Sequence, residues 1–167
     1  LNEFFIKKFT AAIPSVQRNY ERSLLSVNEC ARLYITTPCL NAIDTIDKTI
    51  SSVISQSGGN FVIRYHIQDG GSTDGTLDCL DKWNKKLSYR SNEYLAKQYK
   101  NIIFTYSSQP DNGMYDAIIR GFEYMQAPPL AILSWINADD ILLQGSISSI
   151  LKVFRKFFQV QWITGHN

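Results

Sequence analysis

Carboxylates placed just after apolar runs are the residues of this 167-residue chain best suited to chemistry. Asp69 follows His66-Ile67-Gln68 and opens the string Gly70-Gly71-Ser72-Thr73-Asp74-Gly75. A carboxylate at a strand tip can accept from a base N–H or a ribose hydroxyl, and the glycines let a ligand approach the backbone. Asp139 and Asp140 follow Ser134-Trp135-Ile136-Asn137-Ala138. Two adjacent carboxylates beside a buried run are costly unless solvated, paired or bound to a cation. Oxygen ligands of this kind suit Mg2+ or Mn2+, which bridge a carboxylate and substrate phosphates. A helix N-terminus attracting acid is the competing reading, and a sheet edge shared with Asp69 favours the ligand.

A third string, Ser108-Gln109-Pro110-Asp111-Asn112-Gly113-Met114-Tyr115-Asp116-Ala117, opens a helix that carries Arg120 and Gly121. Asp111 can cap that helix or meet a ligand. Arg120 can reach a phosphate, although a lone helical arginine is more often solvated. Ser72 and Asp74 read first as turn and capping residues, because that is what these types usually do before a helix.

The elements that must position these residues follow from periodicity. Leu33–Thr37 reads as a strand stopped by Pro38. Ile46, Ile50, Val53 and Ile54 have helical spacing, and Gly58-Gly59-Asn60 closes that helix. Phe61–Ile67 is a second strand; Leu77, Leu80 and Trp83 mark a helix; Ile102–Tyr106 is a third strand. Residues 114–126 form a helix, with Ile118, Phe122 and Met125 on one side. Leu130–Ile136 reads as a strand covered on both faces. A helix bearing Ile147, Ile150, Leu151 and Phe154 follows, then a fifth strand over Val160–Thr164. Such alternation requires helical crossovers, and so predicts an α/β fold: an open, mainly parallel sheet with helices on both faces. Ligands then bind outside the carboxyl ends of the strands, which is where Asp69 and Asn137–Asp140 fall.

Composition narrows the class. An apolar share of 44% and a charged share of 19% describe a globular domain rather than a disordered chain. A net charge of +2, with scattered lysines and arginines, argues against a nucleic-acid partner. Three cysteines without CxxC spacing read as free thiols in a reducing compartment, so the cytoplasm is the expected location. With only His66 and His166 present, a histidine-based triad has little support. No GxGxxG follows the first strand, and neither GxxxxGK[ST] nor GxSxG occurs. Residues 1–31 read as a helical extension preceding a domain over 32–167. Phe4, Phe5, Ile6 and Phe9 beside Lys7 and Lys8 suit packing on the domain or a partner, or peripheral contact with the inner face of a membrane. A start at Leu1 and a stop at Asn167 read as the edges of a piece of a longer protein.

Taken in order over residues 33–167, four strings resemble the family 2 inverting glycosyltransferases of GT-A fold, especially those of bacterial polysaccharide assembly. They are Tyr34-Ile35-Thr36-Thr37-Pro38-Cys39-Leu40-Asn41, Gln68-Asp69-Gly70-Gly71-Ser72-Thr73-Asp74-Gly75-Thr76, Pro110-Asp111-Asn112-Gly113-Met114-Tyr115-Asp116-Ala117 and Asn137-Ala138-Asp139-Asp140. The resemblance implies a nucleotide-sugar donor, with a UDP-sugar expected, and Mg2+ or Mn2+ as cofactor. It implies that Thr37 and Pro38 border the nucleotide through main-chain contacts and that Asp69 binds base or ribose, with Asp111 and Arg120 on the same site. Asp139 becomes the metal ligand of a DxD element in which Asn137 replaces the first acid, and Asp140 orients the sugar or the metal. The acceptor is then a saccharide or lipid-linked saccharide hydroxyl, and the general base that activates it is expected beyond Asn167. Ile119 departs from the family's usual asparagine, and Gln144-Gly145 from its frequent Pro-Gly. Two other readings of the same fold are a binding module without turnover and a nucleotidyltransferase. The latter expects a glycine-rich basic loop where Thr37-Pro38-Cys39-Leu40 stands.

Overall fold

The computed structural model describes residues 31–88, 101–128, 131–157, 159–161 and 163–164. Four strands and four helices alternate in it. They are β1 (Ala31–Cys39), α1 (Ile46–Ile54), β2 (Phe61–Asp69), α2 (Thr76–Ser88), β3 (Ile102–Ser108), α3 (Met114–Tyr124), β4 (Ile132–Trp135) and α4 (Ser146–Lys156). The sheet order is β3-β2-β1-β4 and every pairing is parallel. The chain adds β2 and β3 on one side of β1, then returns along α3 to place β4 on the other. All strand carboxyl ends therefore share one edge, and the order reverses between β1 and β4, where α/β sheets open a crevice.

The two faces of the sheet carry different cores. Leu33, Ile35, Ile63, Tyr65, Ile67 and Phe104 pack against Ile46, Ile50, Val53 and Ile54 of α1, Leu80 and Trp83 of α2, and Ile147 and Leu151 of α4. The opposite face holds α3, whose Ile118 and Phe122 join Tyr34 and Met125. Between them Gly121 rides on the sheet: a Cβ there would lie 2.0 Å from Thr36 Oγ1 and 3.4 Å from the His66 ring.

Four segments depart from the sequence reading. Pro38 does not stop β1, which runs on to Cys39. Thr36 accepts from Ile136 on the β4 side, and Pro38 lies on that same side past the end of β4, so its missing N–H leaves no ladder bond unmade. β4 is half-buried, with Trp135 38% exposed, rather than covered on both faces. It lies at the end of the strand order, and an edge position explains the difference. Val160, Gln161, Ile163 and Thr164 are not in strand conformation. Helix α3 ends at Tyr124, two residues early, because Gln126 takes a positive φ of 50°. The proposed extension lies outside the described residues. Among the described residues, no helix is long and apolar enough to cross a membrane.

Gly121→Ala is expected to destabilise the fold by about 2 kcal/mol, a typical overpacking cost, because the backbone of α3 sits directly on Thr36. Urea denaturation reads this, and a midpoint equal to that of the parent would show that α3 can shift at no cost.

Candidate functional site

The loops after β1, β2, β3 and β4 gather on the carboxyl edge, and Asp69 joins two of them. It is the last residue of β2 and is wholly buried. Its Oδ2 accepts from the amides of Gly71 and Ser72, both at 2.9 Å, and from Ser108 Oγ of β3 at 2.6 Å. Its Oδ1 accepts from the Ser72 hydroxyl. The Asp69 carbonyl also accepts from Gln109 N at 2.9 Å, continuing the β2–β3 ladder into the next loop. Four donors on one carboxylate make it the anchor of its own turn.

That turn is stapled to the β1–α1 loop. Asn41 N donates to Ser72 Oγ at 2.7 Å, and Thr73 N donates to Asn41 Oδ1 at 2.9 Å. Ala42 N donates to Thr76 Oγ1 at 2.9 Å and Ile43 N to Asp74 Oδ2 at 3.1 Å. Asp74 Oδ1 accepts from Thr76 N and Oγ1, the capping geometry expected of it. The Thr76 hydroxyl, followed by amide donors, holds the Asp74 carboxyl below its ordinary range. Ser72 and Asp74 are thus turn and capping residues. Between the two loops Thr37 and Pro38 are buried, with Thr37 Oγ1 3.0 Å from the Tyr65 hydroxyl. Thr37 is 0% exposed, main chain included, so it backs the site rather than lining its surface. The Cys39 thiol is pushed up to about 12 by burial and then by Asp69, so it stays protonated.

The loop after β3 leans over the same turn. A Cβ on Gly70 would lie 2.9 Å from Asp111 Oδ2, so the carboxylate rests close over bare backbone and a side chain there would push it aside. Asp111 Oδ1 accepts from Gly113 N at 2.8 Å, while Oδ2 has no hydrogen-bond partner among the described residues. Arg120 does not reach into the open. Its Nη1 donates to the Pro110 carbonyl at 2.9 Å, and its Nη2 lies 2.7 Å from Asp116 Oδ2. The Asn112 amide, and after it Arg120, hold the Asp116 carboxyl below the usual carboxylate range.

On the far side of β1, the loop after β4 carries Asn137–Asp140. Asp139 and Asp140 are exposed. Asn137 Nδ2 donates to Asp140 Oδ2 at 3.0 Å, and the buried Asn137 Oδ1 has no partner among the described residues. Asp139 makes no hydrogen bond or ion pair among the described residues. A polar stripe on α1 and the turn after it, not singled out in the sequence, holds this loop. Thr49 Oγ1 donates to the Ala138 carbonyl at 2.8 Å, Leu142 N donates to Ser52 Oγ at 3.1 Å, and Gln56 bonds both Leu143 O and Gly145 N. The signal was available: polar residues at 49, 52 and 56 stand at helical spacing beside the apolar positions.

The residues around Asp139 can take a divalent cation of one kind. Among the described residues no three His, Cys, Asp or Glu side chains converge into an all-protein cage. One free carboxylate, with a second oriented beside it, fits an ion that keeps its remaining positions for water and phosphate oxygens, as Mg2+ does. The orphaned Asn137 carbonyl is a further neutral oxygen in that loop.

A family model described as Glycosyl transferase family 2 matches residues 34–162. The chain belongs to glycosyl transferase family 2. The structure resembles Staphylococcus aureus TarS 1–349 with a TM-score of 0.56 at 14% identity, over 81% of this chain and 37% of that one. The same protein in complex with UDP-GlcNAc aligns with a TM-score of 0.55 at 14% identity, over 81% and 36%. The mannosyltransferase PcManGT from Pyrobaculum calidifontis, in complex with GDP-Man and Mn2+, aligns at 0.54 and 15% identity, over 92% of this chain and 44% of that one. At such identities the likeness shows the GT-A fold, and the chain spans well under half of each of these proteins. No curated protein matches the sequence.

Behind the site lies a buried network that sequence reasoning left unread. His66 is fully buried under α3, stacked on Tyr124 at 4.2 Å. Ser107 donates to Gln68 Oε1 at 2.8 Å and so accepts from His66 Nε2–H at 3.1 Å. Nδ1 is left to accept from Thr105 Oγ1 at 2.9 Å, which makes His66 the neutral Nε2–H tautomer. Burial lowers its pKa from 6.5 to about 4. The unfolded chain therefore binds this proton first. The stabilisation is complete above pH 6.5 and is lost as pH falls toward 4, by roughly 3 kcal/mol. Urea denaturation of the parent and His66→Gln across that range should show the variant losing less stability on acidification; equal pH slopes would contradict the buried neutral histidine.

Proposed function

We propose that this chain forms the donor-binding part of a glycosyltransferase that moves a sugar from a nucleoside diphosphate to an acceptor hydroxyl with inversion. The observation that carries the reading is a juxtaposition. On a member of glycosyl transferase family 2, the Asp69–Ser72 turn with Asp111 stands on one side of the β1 tip, and the Asn137–Asp140 loop on the other. Strand spacing puts β2 and β4 roughly 10 Å apart across β1, a separation suited to holding a nucleoside at one end and a diphosphate at the other.

In this reading the nucleoside lies at the tip of β1, backed by Thr37 and Pro38, over the bare backbone of Gly70. Asp69 holds that surface in shape through its four donors, and Asp111 Oδ2 offers the free acceptor. Asp139 is the carboxylate that would hold Mg2+ or Mn2+ against the diphosphate, with Asp140 oriented by Asn137 toward the same group. The cation, when bound, neutralises the departing diphosphate. The complexes of the similar structures with UDP-GlcNAc and with GDP-Man and Mn2+ support a nucleotide-sugar donor and a divalent ion. A UDP-sugar is the donor we favour, with a saccharide or lipid-linked saccharide as acceptor and the cytoplasm as the place of work, where peripheral contact with the inner face of the membrane is an option. A non-catalytic module of the same fold that binds a nucleotide-sugar or a partner chain is the second reading.

Calorimetric titration with UDP, GDP, dTDP and ATP, each with and without Mn2+, tests the proposal. One nucleoside diphosphate is expected to bind only with the metal. Asp139→Ala should abolish that metal dependence, whereas equal affinities with and without Mn2+ in the parent would remove the cation from the site. Asp69→Asn should weaken the nucleotide at least tenfold, since hydrogen bonds to a charged group are worth about 1.5–3 kcal/mol, and should leave the metal requirement intact. Parental affinity in that variant would take the turn out of the site.

A further inference from the structure

Arg120 has the position and charge of a phosphate ligand, yet its contacts describe another task. We infer that Arg120 and Asp116 form a clamp that positions Asp111 for the nucleoside, and that Arg120 does not bind the donor phosphates. The inference rests on the donor site proposed above. Arg120 Nη1 holds the Pro110 carbonyl at 2.9 Å, on the residue before Asp111. Its Nη2 holds Asp116 Oδ2 at 2.7 Å, and that same oxygen accepts from Asn112 N at 2.9 Å, on the residue after Asp111. Asp111 is thus gripped from both flanks by two side chains of α3. Its own Oδ1 is fixed by Gly113 N at 2.8 Å, where a φ of 101° turns the chain into the helix. One carboxylate oxygen, Oδ2, is left over Gly70 without a partner among the described residues.

The chemistry of the pair suits this role. Asp116 and Arg120 stand at i and i+4, acid first, the favoured order on a helix. A half-exposed pair of this kind contributes little to folding, so its effect falls on the loop it ties down. A planar guanidinium can span a carbonyl and a carboxylate at once, which an ammonium cannot do in the same geometry. Asp116 cannot serve a phosphate at all, since like charges repel. A clamp therefore requires both residues, while a phosphate site requires only the arginine.

That difference sets the experiment. The affinities of uridine, guanosine and their diphosphates, with Mn2+ present, are measured by nuclear magnetic resonance titration of the whole chain and of Arg120→Ala, Arg120→Lys, Asp116→Ala and the double alanine variant. A clamp predicts that Arg120→Ala weakens the bound nucleoside and its diphosphate by the same factor, roughly tenfold from the lost preorganisation. Asp116→Ala should match it, the double variant should be no worse than either single one, and lysine should not rescue. Amide exchange at Asn112 should quicken in every variant. Loss confined to the diphosphate, or rescue by lysine, would make Arg120 a phosphate ligand and overturn the inference. Parental affinities in Asp116→Ala would do the same. If the parent binds no nucleotide in the panel, the donor-site reading fails and the clamp's functional role falls with it.

Discussion

A carboxylate without solvent contact must find its donors in the chain, and Asp69 finds them in its own turn and at the tip of β3. Each bond fixes a different piece of the carboxyl edge. The amides of Gly71 and Ser72 set the turn after β2, the Ser72 hydroxyl passes the constraint to Asn41 after β1, and Ser108 ties in β3. An unpaired buried charge costs several kcal/mol, so the loops cannot drift apart without exposing or stranding this group. The order of the edge is the price of burying one acid.

The other half of the site is held by uncharged groups. Thr49 and Ser52 of α1, with Gln56 in the turn after it, reach across to the loop after β4 and bind its backbone at Ala138, Leu142, Leu143 and Gly145. This leaves the acids of that loop free of structural duty, apart from the Asn137–Asp140 bond. The two halves therefore divide the work differently. Asp69 is consumed in making a surface, whereas Asp139 is presented on one. A group that must meet a cation has to keep its lone pairs available, and a group that must shape a turn has to give them up.

Periodicity disclosed the alternation of strands and helices because each strand is bounded by turn residues and each helix keeps its apolar spacing. It misread Pro38, the covering of β4 and the last segment, since each depends on where neighbouring strands end rather than on local preference. In the site, Asp69, Asp111 and Asp139 stood out as acids at strand ends. Ser107, Ser108 and the α1 stripe did not, because hydroxyls and amides on regular elements look the same whether they face water or a carbonyl.

The sequence by itself determined the α/β class, the glycosyltransferase family and the edge on which the site lies, because strand tips, turn glycines and acids are local in the chain. Only the tertiary structure decided what each acid does. Asp69 is filled by three donors of its own turn and a fourth, Ser108, from a strand 39 residues away, while Asp111 keeps an oxygen free above Gly70, which has no side chain to displace it. Arg120 is spent on Asp116, a pairing its i, i+4 spacing offers, and on the Pro110 carbonyl, which no spacing along the helix could disclose. Hydrogen-bond capacity is finite, and which partner takes it is settled when distant segments meet.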